Sequence, residues 1–287
     1  MITKWGNFFF DGGTFFSLYS VAAYQSDYVL VGDSAGGCYK YNSTGSFITK
    51  WGGGGSDNEQ MFPIGVAIDS QQNFYIVEYN NNRVKKYNSS GQFLTKWGEY
   101  GTGNSQFKNP RKIAVGPSGR IYVVDQNNCR IQVFTQNGAY IRQWGAVGSD
   151  NSQFSSPIGV YVDSQENVYV SDSSNHRVQK FNSAGSFLTK WGTFGYLGNS
   201  QFAGAMGCAG DAAGNIFVLD YYHHRVQKFT SNGAFLTKWG SGITENGKLN
   251  QPNSVKVASN GNLYVVESYN HRYQVCLLYT SPSPRDS

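Results

Sequence analysis

Every tryptophan in this 287-residue chain is followed by glycine, and the six pairs begin at Trp5, Trp51, Trp97, Trp144, Trp191 and Trp239. The intervals between them are 46, 46, 47, 47 and 48 residues. A recurrence of this length marks a unit that cannot bury its own apolar face and is stable only when stacked on copies of itself. In such an array, function lies where the copies differ.

Set on the Trp-Gly pair, the fourth copy contains four runs, at 154–163, 167–172, 176–181 and 186–191. Each is rich in Val, Ile, Tyr and Phe and is divided from the next by Gly, Asn, Asp or Ser, which predicts four short strands per period. No window shows the 3.6-residue apolar recurrence of a long helix, and the connectors 182–185 and 164–167 suit tight hairpins. The unit is therefore read as a four-stranded antiparallel sheet.

The two ends complement each other. Met1-Ile-Thr-Lys-Trp5 repeats the last strand of a unit, and the segments 254–257, 262–267 and 271–275 supply only the first three strands of another. Pairing the first segment with the last would close a ring of six and hide its open edge. The alternative is that both ends are cuts in a longer array. From Cys276 the repeat pattern stops and 276–286 reads as translated adapter sequence, so the domain is expected to span 1–275 and the remainder, 276–287, to be non-native. A natural Ser/Pro tail is the competing reading.

Asp172-Ser-Ser-Asn-His-Arg-Val-Gln-Lys-Phe181 and Asp220-Tyr-Tyr-His-His-Arg-Val-Gln-Lys-Phe229 resemble the core of the NHL repeat, and Pro157-Ile-Gly-Val and Ser268-Tyr-Asn-His-Arg272 agree with it. The resemblance covers nearly the whole chain and implies a six-bladed β-propeller. The first copy departs from it: Asp33-Ser-Ala-Gly-Gly-Cys-Tyr-Lys-Tyr41 is one residue shorter and places Gly37 where the others carry arginine.

A domain of this size buries about three quarters of its unfolded surface and needs no crosslink. Outside the suspect tail there are three cysteines, Cys38, Cys129 and Cys208, with no CxxC pair, and Cys208 reads as a small core residue in an inner strand. No apolar stretch has transmembrane length, and no secretory leader is recognisable.

Asp/Glu-x4-Arg recurs five times, as Glu78 with Arg83, Asp125 with Arg130, Asp172 with Arg177, Asp220 with Arg225, and Glu267 with Arg272. A catalytic centre needs groups that converge once. A pair present in nearly every copy does a job that every copy needs, here bracing the turn between second and third strands. His176, His224 and His271 share one repeat position and so lie in three separate copies, too far apart for one ion; only His223 breaks the register. The segments entering the inner strands, 61–64, 109–112, 156–158, 204–206 and 251–254, hold no carboxylate. That argues against a hard-cation site and against the paired carboxylates of glycoside hydrolysis.

The net charge of +5 and the 16% aromatic content suit nucleic acid, and some NHL propellers bind single-stranded RNA. Much of the charge, however, is Lys4, Lys50, Lys96, Lys190 and Lys238 in the repeated outer strand, where lysine blocks edge pairing. Lys108, Arg111 and Lys112 form the one cluster without counterparts in the other copies, before an inner strand, and the turn tyrosines Tyr79, Tyr221, Tyr222 and Tyr269 could stack on bases or on a protein.

The expectation is thus an all-β, six-bladed propeller of four-stranded antiparallel blades, closed by the N-terminal strand. Its role is read as non-enzymatic recognition of a protein or peptide through the face formed by the second-to-third-strand turns and the inter-blade loops. The candidate contacts are Lys108, Arg111, Lys112, Tyr79, Tyr221, Tyr222, His223 and Tyr269. Single-stranded RNA is the second reading, and a propeller enzyme of the peptide-amidating lyase type the third. No cofactor, metal or membrane partner is expected, and the chain is read as a monomer.

Overall fold

The computed structural model describes residues 2–5, 18–25, 27–33, 37–52, 61–196, 198–240 and 248–277. Six four-stranded antiparallel sheets follow one another along the chain. Blade 1 runs from Leu18–Tyr24 to Phe47–Trp51, blade 2 from Pro63–Ile68 to Phe93–Trp97, and blade 3 from Pro110–Val115 to Tyr140–Trp144. Blade 4 runs from Pro157–Val162 to Phe187–Trp191, and blade 5 from Ala205–Gly210 to Phe235–Trp239. Blade 6 comprises Pro252–Val257, Asn262–Glu267 and Arg272–Leu277, with Ile2–Trp5 pairing antiparallel along the last of these.

The first strands of all six blades line one axial channel. Second strands are buried on both faces, as in Ile121–Asp125, whereas the outer strand alternates, so that Leu188 and Lys190 face solvent and Phe187 packs inward. This is the burial gradient expected of a sheet standing edge-on to an axis.

The Trp-Gly period has a mechanical cause. Trp97, Trp144 and Trp191 each wedge into the next blade, with ring centroids 5.8 Å from Phe134, Phe181 and Phe229 respectively. The ring lies under the hairpin glycine of that blade. A Cβ on Gly185, which has a φ of +88°, would come within 2.7 Å of the Trp144 ring, so both chirality and space demand glycine there.

Blade 6 packs directly on blade 1: Leu18, Val21, Val29 and Val31 share a core with Tyr264, Val266, Tyr273 and Val275. Ser268 Oγ donates to the Leu18 carbonyl at 2.8 Å across the same seam. The third strand of blade 6 continues through Cys276, which is buried, to Leu277, two residues past the boundary expected from the repeat. Cys276 stands where other blades carry Phe or Tyr, and that strand pairing rather than composition decides where the sheet ends. Residues 278–287 lie outside the described residues. Cys38, Cys129, Cys208 and Cys276 are all free and buried, and burial pushes the Cys208 thiol up to about 12.

Candidate binding face at the channel mouth

The five acidic residues of the repeated pairs close the second strands and are completely buried. Each sits directly across the hairpin from its arginine, and the guanidinium Nε lies 2.7 Å from Asp125 in Arg130, 2.9 Å from Asp172 in Arg177, 2.8 Å from Asp220 in Arg225 and 2.7 Å from Glu267 in Arg272. In blade 2, Arg83 and Lys85 both meet Glu78. The other carboxylate oxygen accepts a backbone N–H from the incoming loop: Lys108 on Asp125 at 2.8 Å, Ser155 on Asp172 at 2.7 Å and Ala203 on Asp220 at 3.0 Å. Burial raises the carboxyl pKa of Asp172, against the hydrogen bonds from Asn175, Ser155 and Arg177 that lower it. These pairs tie frame to loop.

The histidines belong to the same turns. His176, His224 and His271 adopt left-handed φ values of 54°, 55° and 45°, matching Asn82 and Cys129 at 51° in the other blades. His223 fits the repeat after all. Its Nδ1 lies 2.8 Å from Asp220 Oδ2, the place taken by Asn128 on Asp125 and Asn175 on Asp172. Aligning the turn on its acidic residue would have shown His223 in the asparagine position. Among the described residues, no three His, Cys, Asp or Glu side chains converge as a metal set would.

The basic trio does not form one patch. Lys112 is buried in the axial channel, where its ammonium donates to the carbonyls of Tyr19 and Ile64 across the ring. Burial, helped by the neighbouring Arg111 charge, holds its pKa well below 10.5. Lys112 stands where other blades carry Gly65 and Gly159, at a position that faces a neighbouring inner strand, just where the register against the second strand shifts between Pro110 and Ile113. Lys108 instead lies over the Tyr100 ring at 5.6 Å on the loop.

Arg111 stays at the mouth. Its Nε donates to Gln126 Oε1 at 2.8 Å, Gln126 is itself held by Ser156 Oγ at 2.7 Å, and the guanidinium lies 4.9 Å above the Tyr79 ring. Tyr19, Phe62, Ile64, Tyr79, Asn80 and Arg111 enclose a cavity of about 360 Å³. Across the mouth Tyr221 donates to Gln251 Oε1 at 2.7 Å, and burial, then the nearby Tyr222, Tyr269 and Tyr19, raise its pKa while Arg111 lowers it. Tyr222 and Tyr269, by contrast, are 63% and 67% exposed. Among the described residues the mouth thus combines phenols, amides and the Arg111 cation, and no carboxylate lines its pocket.

Residues 61–87, 107–134, 154–181 and 249–276 match the family described as NHL repeat. No curated protein matches the sequence. A streptogramin B lyase structure is similar at a TM-score of 0.66 and 10% identity, over 96% of each chain. Virginiamycin B lyase from Staphylococcus aureus gives 0.64 and 15% over 98% of this chain and 89% of that one. A gluconolactonase from Xanthomonas campestris gives 0.67 and 12% over 91% and 86%. At such identities the likeness establishes the fold and not the chemistry. With the repeat matched in blades 2, 3, 4 and 6 and six four-stranded blades around one channel, the chain is an NHL-repeat β-propeller.

Proposed function

We propose that the chain is a non-enzymatic binding scaffold that recognises a protein or peptide at the channel mouth on the second-to-third-turn face. The observation that carries this reading is the pair of tyrosines, Tyr222 and Tyr269, standing two-thirds exposed beside a mouth where hydrogen bonds fix Tyr221 on Gln251 and Arg111 on Gln126. Exposed tyrosine offers large contact area at little entropic cost, and it is enriched where protein partners dock. The repeated carboxylates and guanidiniums satisfy one another within the frame, which leaves recognition to groups that differ between blades.

The test is selection of peptides from a displayed random library on the immobilised chain, followed by titration of the Tyr222→Ala and Tyr269→Ala variants. A hot-spot tyrosine costs about 2 kcal/mol or more on truncation, so affinity should drop at least about thirtyfold. Binders that ignore both substitutions would place recognition elsewhere. Strongly salt-sensitive binding of a single-stranded RNA pool, with no peptide retained, would favour the nucleic-acid reading instead.

A further inference from the structure

We infer that Arg111 and its pocket hold the C-terminal carboxylate of the partner, with the last residue's apolar side chain against Phe62 and Ile64. The inference rests on the reading that this face binds a peptide, and it names the group recognised.

Arginines at the starts of third strands spend their terminal nitrogens on the frame: Arg130 donates to the carbonyls of Thr102, Gly103 and Gln106, and Arg177 to those of Ser149, Asp150 and Gln153. Arg111 is different. Gln126 fixes its Nε and Tyr79 supports its face, while its two terminal nitrogens engage no described residue. A guanidinium held in this way presents a planar fork whose geometry fits both oxygens of one carboxylate. Little ordering remains to be paid on binding, because the rotamer is already set by the stacking and the amide.

The rest of the pocket limits what can carry that carboxylate. Phe62 is 43% exposed and Ile64 lies beside it, so an apolar group belongs next to the anion. In a C-terminal residue the carboxylate and side chain diverge from one Cα, and a single residue fills both halves of a cavity of about 360 Å³. A chain reaching the mouth cannot continue down the axis. Lys112 crosses the channel there to Tyr19 and Ile64, and the channel below holds only about 100 Å³ between inner strands. A peptide that enters head-on must therefore end at the mouth. A phosphate backbone would ask for a row of cations, which the inward turn of Lys112 removes.

The experiment uses an array of random peptides ending in Phe, Leu or Ile, each made as the free acid and as the carboxamide, probed with wild type, Arg111→Met and Tyr222→Ala. Charge-assisted hydrogen bonds of this kind support an acid preference of about tenfold or more. The preference should vanish in Arg111→Met, whose melting temperature should match wild type. Equal retention of acids and amides by wild type would overturn the inference, and because this comparison needs no variant it stands even if Arg111→Met fails to fold. If such amide-tolerant binding is still abolished by Tyr222→Ala, the scaffold reading survives and only the carboxylate assignment falls. If no peptide is retained in either form, both fall together.

Discussion

Arg177 donates from Nε to Asp172 Oδ2 at 2.9 Å with both side chains more than nine-tenths buried. Its terminal nitrogens donate to Ser149, Asp150 and Gln153, and Asp172 Oδ1 accepts from the Ser155 backbone. One ion pair therefore ties a hairpin to the loop arriving from the previous blade, and the same construction recurs around the ring. A buried pair of this kind need not add net stability over an apolar core, but removing one member strands the other without water.

Arg177→Ala is accordingly expected to cost about 3 to 5 kcal/mol, and Asp172→Ala a similar amount. The double variant should cost clearly less than the sum of the two, since the second truncation removes a charge the first left unpaired. Urea denaturation of the four proteins gives the cycle. Strict additivity would mean that the two groups do not act as one unit.

His223→Asn should keep the fold as stable as wild type, because asparagine in this position reaches the buried carboxylate in blades 3 and 4. His223→Ala removes a partner of Asp220 and should cost about 1 to 3 kcal/mol. Thermal melts of the two variants decide the matter. An alanine variant as stable as wild type would show that Arg225 and the Ala203 N–H satisfy Asp220 without His223.

What could be read in the sequence was local, and what could not depends on the ring. Trp144 and Gly185 announce themselves because a wedge and the hairpin it presses on recur at a fixed interval. Asp172 and Arg177 do so because they face each other across one short turn. Lys112 parts from Lys108 and Arg111 because its direction is set by carbonyls of two other blades, 48 and 93 residues away. A signal was nevertheless present: Lys112 occupies the position of Gly65 and Gly159, where a Cβ would meet the next inner strand at 2.6 and 2.4 Å. The Arg111 pocket had no such signal, since Tyr19, Phe62 and Tyr79 come from two blades and meet Arg111 only once the ring is formed.

Removing residues 1–5 takes away the strand that pairs with Arg272–Leu277, Ile2 standing opposite Cys276 and Trp5 opposite Tyr273. The last blade would then present an open edge of unpaired backbone groups. The truncated chain is expected to melt at a clearly lower temperature and to associate at high concentration, both measurable by calorimetry and light scattering. An unchanged melting temperature would show that this pairing contributes nothing to the ring.

Lys112 provides a pH test of the channel. Its folded pKa lies well below 10.5 because burial disfavours the ammonium and the Arg111 charge adds to the effect. The unfolded chain therefore binds this proton more tightly than the folded one. Stability attributable to Lys112 is fully present above 10.5, and it is lost as pH falls through the folded value. Lys112→Met removes that dependence while keeping most of the side chain's length. As pH rises toward about 10, the urea midpoint of wild type should gain on that of Lys112→Met. A difference that stays constant as pH rises would mean that the Lys112 ammonium is solvated in the folded protein rather than buried in the channel.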